Sequence, residues 1–353
     1  MKKANASHQM EQATQAARTI GVVIPNWNGA DELRACLDSL KIQTLKAHII
    51  VVDNGSADDS VSILESEYPE VEIVRHEKNL GYAGGVNPGF RLAIERGYDY
   101  IAPFNNDAVA DKRWLELLVQ ALDDKPSYGI ATCKLLSADG SYLDSTGDYY
   151  TSWGLPYPRG RGEHQTEIYD NQTEIFGASG GASAYRVAML REVGILDEDF
   201  FAYYEDVDLS FRAQLAGWKV VYVPAARVYH ATSTTGNRMV KGFFTFMTMK
   251  NLPMLLWKNV PGRFMPTILP RFALVYLAFF VSATQRGQLG DALHGAWFAL
   301  THWPAKHRER KAIQSGRKVD DAYIASILTF DLPPNAAKLR KLRQAVRKLK
   351  GRA

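Results

Sequence analysis

Cysteine is nearly absent. Cys36 and Cys133 are the only two in 353 residues. They are too few and too far apart for a disulfide framework or a zinc site, so a reducing compartment is the default. The opening stretch, MKKANASHQMEQATQAAR, lacks the apolar core of a signal peptide and reads as a disordered tail over 1–18. The apolar run FALVYLAFFVSA (272–283) is only about half the roughly 20 residues a membrane-spanning helix needs. Acidic residues are missing from Arg238 up to Asp291. That gap is part of a wider asymmetry. From Arg238 onward 21 Lys+Arg face 5 Asp+Glu, a net of +16, and the remaining 21 basic and 33 acidic residues give −12, which together make the overall +4. Such a split points the C-terminal third at something anionic, a nucleic acid or a membrane surface.

What is present suffices for a full core, since 46% of the chain is hydrophobic, and the length fits one large domain plus an appendage. TIGVVI (19–24), HIIVVD (48–53), VEIVRH (71–76) and YDYIAPF (98–104) are short β-branched runs. Helix-like stretches at 30–43, 59–68 and 84–97 separate them. This alternation predicts βαβ units and a mostly parallel sheet covered on both faces. Ligands of such sheets bind beyond the carboxyl ends of the strands. Each predicted strand ends in polar turn residues: Pro25-Asn26-Trp27-Asn28-Gly29, Asp53-Asn54-Gly55-Ser56, Asn79-Leu80-Gly81 and Asn105-Asn106-Asp107. One such turn is ordinary chain-reversal chemistry. Four on one sheet edge make a ligand site.

Asp107 at a strand end suits one contact on a divalent cation that also binds a diphosphate. Asp53, after the second strand of a nucleotide-type sheet, suits a ribose hydroxyl or a base N–H. FFAYYEDVDLSFR (200–212) carries three acids beside several rings. The segment 206–217 reads as a helix with Asp206 at its N-cap, Asp208 paired to Arg212 at i,i+4, and Gly217 at its end. A helix N-terminus favours the carboxylate form of Asp206. Glu205 reads either as a binder of a substrate hydroxyl or as a capping neighbour. His230 closes the strand-like 218–230 before a Ser/Thr/Gly loop, and is read either as a metal ligand or as a structural histidine.

In order and spacing, VVIPNWNG (22–29), VVDNGSADDS (51–60), NLGYAGGVNPGF (79–90), FNNDAV (104–109), the glycine-rich run from GASGGASAYR through EDVDLSFRAQLAGW (177–218) and VYHATSTTG (228–236) resemble the inverting family-2 glycosyltransferases of GT-A fold, particularly bacterial rhamnosyltransferase-like members. The resemblance spans 19–236. It implies that Asp53 reads a pyrimidine base, that Pro25, Asn26 and Asn28 line the nucleotide pocket, and that Asn79 and Gly81 begin the segment closing over the donor. Asn105-Asn106-Asp107 stands in place of the family's Asp-x-Asp motif, with Asn106 at the nucleotide sugar and Asp107 on the metal. The motif's first Asp is Asn here, leaving fewer charges for the ion. Asp206 matches the catalytic base, Glu205 with Gly180 and Gly181 the acceptor side, and His230 a second ligand to Mg²⁺ or Mn²⁺. One base without a protein nucleophile means single displacement with inversion.

The expected architecture is therefore an α/β GT-A domain over 19–236, a Rossmann-like, mostly parallel sheet, followed by a basic, amphipathic helical region over 237–353 that associates with membranes. Besides 272–283, that region contains DALHGAWFALTHW (291–303), KHRERK (306–311) and KLRKLRQAVRKLKGR (338–352). Apolar and aromatic residues beside basic faces read as helices lying in a membrane interface. A buried helix packed on the catalytic domain is the other reading of 272–283. The expected substrates are a nucleotide-sugar donor, first dTDP-L-rhamnose and otherwise UDP-galactofuranose or UDP-GlcNAc, and a polyprenyl-diphosphate-linked acceptor at the cytoplasmic face of the inner membrane, reached as a peripheral protein. A nucleotidyltransferase fits less well, because PNWNGADE after the first strand has no Lys or Arg for a triphosphate. Nucleic acid is not an expected partner, since the basic tail lacks interleaved aromatic platforms.

Overall fold

The run IGVVIPN forms β1 (Ile20–Asn26), buried along almost all its length, because the sheet it joins is covered on both faces. β2 (His48–Asp53) pairs parallel on one side, followed outward by parallel β3 (Glu72–Arg75), and β4 (Tyr100–Pro103) pairs parallel on the other. The crossovers carry α1 (Ala30–Lys41), α2 (Ser60–Glu67) and α3 (Gly81–Glu95). α3 lies close on β1: a methyl added at Gly85 or Gly89 would meet Pro25 at 2.8 Å or Val23 at 2.5 Å. The structure, a computed structural model, describes residues 18–231 and 240–330. Residues 1–17 of the expected N-terminal tail, almost all of the ATSTTG loop after His230 and the basic run 338–352 lie outside the described residues.

The second half of the sheet is mixed. After β5 (Ala108–Ala110) and α4 (Trp114–Asp124) come β6 (Tyr128–Ser137) and β7 (Leu143–Ser145). Then follow β8 (Asp148–Thr151), β9 (Pro156–Pro158), β10 (Thr173–Ile175) and β11 (Ser183–Arg186). α5 (Val187–Val193), α6 (Glu205–Leu215) and β12 (Lys219–His230) complete this part. The large sheet runs β10-β12-β6-β11-β4-β1-β2-β3. β11 is antiparallel to both β4 and β6, and β12 returns parallel to β6. β5 pairs antiparallel with the end of β12, setting Ala108 opposite His230.

Apolar cores line both faces of the sheet. A third core joins the sheet domain to the C-terminal helices, α7 (Phe243–Asn259), α8 (Met265–Gln285), α9 (Leu289–Ser315) and α10 (Asp321–Ile327). There Phe200, Val207, Phe211 and Leu215 meet Leu252, Leu255, Ile268, Phe272 and Ile324. A final strand, β13 (Leu328–Thr329), pairs parallel with β8. Charge seals the same interface. Lys258 Nζ lies 2.6 Å from Asp197 and 3.1 Å from Asp208, and Lys306 Nζ lies 2.5 Å from Asp197 and 2.9 Å from Asp199. Part of the basic excess of the C-terminal third thus answers acids of the sheet domain.

The expected short apolar run at 272–283 needs correcting. It is the end of a helix of 21 residues, and the stretch Gly262–Gln285 is long and apolar enough to cross a membrane by length and composition. Pro266 and Pro270 do not stop it. Pro266 sits in the first turn, where backbone N–H groups have no helical partner, and Pro270 forfeits one further bond. One face of α8 docks through Ile268, Phe272, Val275 and Ala283, while Leu269, Leu274, Leu277 and Val281 are exposed. α9 exposes Leu289, Leu293, Trp297 and Leu300 in the same helical rhythm.

Candidate active site

The ends of β1, β2 and β4 meet beside α3. Asn26 is fully buried and its Oδ1 accepts from Asn106 Nδ2 at 2.8 Å, while its backbone carbonyl accepts from Asn54 N at 2.7 Å. These amides brace the strand ends against each other. Asn28 adopts a left-handed backbone (φ 51°) and its Oδ1 accepts from Ala57 N at 2.7 Å. Asn79 Oδ1 accepts from Gly81 N at 2.8 Å and from Asn54 Nδ2 at 3.1 Å, shaping the turn into α3. Gly81 has φ +75°, and a side chain there would collide with the carbonyl of Phe201. Asp53 differs from these neighbours. It is buried, with Oδ2 accepting a long bond from Ser56 N (3.3 Å) and Oδ1 having no partner among the described residues. A buried acceptor left open is costly and matches a ligand N–H or O–H.

Further along the edge, the β5–β12 register brings Asp107 to His230. His230 Nε2 lies 2.9 Å from Asp107 Oδ1 and Nδ1 lies 2.9 Å from Asp144 Oδ2, with Asn105 Nδ2 3.0 Å from Nε2. Burial works to lower the imidazole pKa, but the two carboxylates outweigh it and raise it to about 9. Asp144 is also paired with Arg161 at 2.9 Å. Sequence reasoning missed Asp144, because it sits on the short β7 in a stretch with no local signature. Among the described residues no group of three or more His, Cys, Asp or Glu is arranged to hold a metal ion. Asp107 nonetheless offers a carboxylate oxygen, the donor type that suits Mn²⁺ or Mg²⁺ when diphosphate oxygens complete the shell, with the His230 imidazole nitrogen beside it. Asp144 would orient the imidazole, as outer carboxylates of metal-bound histidines do.

Asp206 is the second residue of α6. The N-cap is Tyr204 (φ 73°) and carries no side-chain cap bond, which corrects the expected N-cap role of Asp206. Instead Asp206 Oδ2 accepts from Gly180 N at 2.8 Å and Oδ1 from Val207 N at 2.8 Å. Burial raises its pKa against those two bonds, a direction the helix N-terminus alone did not suggest. Glu205 beside it is buried, with Oε2 unpartnered among the described residues. Burial first and the charge of Asp206 second push its carboxyl well above the usual range. Asp148 on β8, also missed, is pushed up to about 8 by burial and then by Asp206. Asp208 stands apart, bonded to Arg212 Nε at 2.8 Å as expected and also to Asn259 Nδ2 at 2.8 Å. Gly181 accepts from Asn105 N at 2.9 Å, so the 180–181 turn links the Asp206 side of the cleft to the Asp107 side.

Residues 21–194 match the sequence profile of Glycosyl transferase family 2. That stretch, just under half of the chain, is a family-2 glycosyltransferase domain. The chain is 29% identical over 236 residues to the N-acetylglucosaminyl-diphospho-decaprenol L-rhamnosyltransferase of Mycobacterium tuberculosis, covering 61% of this chain and 77% of that protein. It is 26% identical over 206 residues to the undecaprenyl-phosphate mannosyltransferase of Micrococcus luteus, covering 57% and 80%. Among solved structures, S. aureus TarS 1-349 in complex with UDP superposes with a TM-score of 0.52 at 16% identity, over 84% of this chain and 88% of that one. The mannosyltransferase PcManGT from Pyrobaculum calidifontis, in complex with GDP-Man and Mn²⁺, gives 0.50 at 17% identity, over 86% and 85%. The glycosyltransferase has the GT-A fold these structures share, with a helical C-terminal region added.

Proposed function

We propose that this glycosyltransferase moves a sugar, with inversion, from a nucleotide-diphospho donor to a hydroxyl of a polyprenyl-diphosphate-linked saccharide in cell-envelope polysaccharide assembly, with dTDP-L-rhamnose as donor. The observation that carries the reading is Asp206, a carboxylate steered by Gly180 N and Val207 N on the sheet edge that also holds Asp53 and the Asp107–His230 pair. The decaprenol-linked rhamnosyltransferase relative supports the choice of donor and acceptor.

In this reading Asp53 accepts from the base through its open Oδ1, with Pro25, Asn26, Asn28, Asn79, Gly81 and Asn106 shaping the nucleotide side. Asp107 and His230 hold Mg²⁺ or Mn²⁺, which when bound neutralises charge on the leaving diphosphate. Asp206 removes the proton of the acceptor hydroxyl as that oxygen attacks the anomeric carbon from the face opposite the leaving group. A raised pKa makes it a stronger base once ionised. Glu205, favouring its neutral form, donates a hydrogen bond to the acceptor, and Gly180 and Gly181 line the acceptor side. The exposed apolar faces of α8 and α9, with their neighbouring basic residues, bring the cleft to an anionic membrane surface from the cytoplasmic side, where the lipid-linked acceptor lies.

The test is a panel of sugar nucleotides screened for protection against thermal unfolding, together with Asp206→Asn. The donor that raises the melting temperature most is expected to be dTDP-L-rhamnose. Asp206→Asn should abolish transfer while binding dTDP as the wild type does. Near-normal turnover by that variant would overturn the base assignment.

A further inference from the structure

The loop leading into Asp206 holds three non-glycine residues in the left-handed region, Phe201 (φ 62°), Tyr203 (φ 69°) and Tyr204 (φ 73°). L-residues avoid that region, and bulky aromatic residues do so strongly. Such a backbone persists only when its surroundings over-determine it. Here the constraint comes from α7, outside the matched family region. Asn251 Nδ2 faces three carbonyls of the loop, Phe200 at 3.0 Å, Ala202 at 2.9 Å and Tyr203 at 2.8 Å. Lys250 Nζ donates to Asp199 O at 2.7 Å and Phe200 O at 3.1 Å. Both side chains are buried. Rings close the same contact, with Tyr203 tilted against Phe244 at 4.7 Å and Phe201 edge-on to Phe243 at 6.1 Å.

The loop also reaches the opposite side of the cleft. The carbonyl of Phe201 accepts from Ala83 N at 3.1 Å and occupies the space a side chain at Gly81 would need. One segment therefore touches the turn at the start of α3 and delivers Glu205 and Asp206.

We infer that Asn251 and Lys250 are positioning residues for the transfer reaction: by clamping the carbonyls of Asp199, Phe200, Ala202 and Tyr203, α7 fixes the distance between the donor-side turn at Gly81 and the base at Asp206. The inference rests on the reading of Asp206 as base. Catalytic groups misplaced by about 1 Å lose on the order of 100-fold in rate, and the clamp acts on that scale. A merely structural role would show as lower stability with turnover intact.

The experiment uses the full chain and four variants: Asn251→Ala, Lys250→Met, Lys250→Arg and Asn259→Leu. Asn259 lies on the same helix but bonds Asp208 and Leu255 O rather than the loop. Two readouts are taken, hydrogen–deuterium exchange of the amides over 199–208, and kcat with KM for dTDP-L-rhamnose. Asn251→Ala and Lys250→Met should speed exchange over 200–206 and lower kcat roughly 10- to 100-fold, with KM within about 3-fold. Lys250→Arg should recover most of the loss, and Asn259→Leu should leave kcat within about 3-fold even where it lowers the melting temperature. Unchanged exchange in Asn251→Ala overturns the inference whatever the donor proves to be. So does wild-type kcat in a variant whose loop has loosened. Asp206→Asn is run alongside, so an error in the base assignment shows as activity in that variant and is told apart from failure of the clamp.

Discussion

Asp148 keeps its proton up to about pH 8 because burial and the neighbouring Asp206 both oppose its charge. The unfolded chain releases that proton near 3.8. Between those values the folded state binds more protons, so this residue's contribution to stability falls as pH rises from about 4 to about 8. Asp148→Asn removes that dependence. Urea denaturation at pH 5 and pH 9 should show the variant gaining on the wild type by a few kcal/mol, to order of magnitude, at the higher pH. An equal offset at both pH values would mean that Asp148 ionises normally. Glu205 is subject to the same two forces in the same direction. Among three neighbouring carboxylates only Asp206 carries backbone N–H bonds on both oxygens, and it is therefore the one best able to bear the charge.

At the scale of elements, the antiparallel pairing of β5 with β12 determines where the two proposed metal ligands meet. His230 opposite Ala108 places Asp107 against the imidazole, and β7 supplies Asp144 on its far nitrogen. Below a pH of about 9 the ring holds a proton between those carboxylates, and under the proposed role a metal ion would have to displace it. Mn²⁺ binding to the dTDP-loaded protein should therefore tighten as pH rises from 7 to 9, as read by titration calorimetry. His230→Ala and Asp107→Ala should weaken it and flatten the pH dependence. The same titration without dTDP should be weaker throughout, since two protein donors leave most of the coordination shell to the nucleotide.

Across the whole molecule, charge and apolar surface are distributed in two ways. Lysines 250, 258 and 306 turn inward to the catalytic unit, while α8 and α9 keep apolar side chains outward: Leu274 is 63% exposed, Leu277 61% and Trp297 63%. A helix apolar all round belongs against protein on every side or in lipid, and α8 is covered on one side only. Flotation with phosphatidylglycerol vesicles should carry the wild type upward. The triple variant Leu274→Asp, Leu277→Asp, Trp297→Asp should stay at the bottom with its dTDP affinity unchanged. Undiminished flotation of that variant would remove these faces from the membrane contact.

The sequence by itself determined the alternating strands and helices, and it put Asp53 and His230 at strand ends, Asp107 in the turn after a strand and Asp206 in the first turn of a helix. Periodicity, strand ends and motif spacing are local properties written in consecutive residues. It also pairs Asp208 with Arg212, a contact four residues apart on one helix. Only the tertiary structure decided the rest. Asp144 and Asp148 reach the cleft through short strands inserted between distant elements, and Asn251 clamps a loop some fifty positions earlier, so no local pattern announces them. Helix α8 is longer than its apolar run because its prolines fall where few backbone bonds are lost. The raised proton affinities of Glu205, Asp148 and Asp206 follow from burial, and burial exists only once the chain has packed.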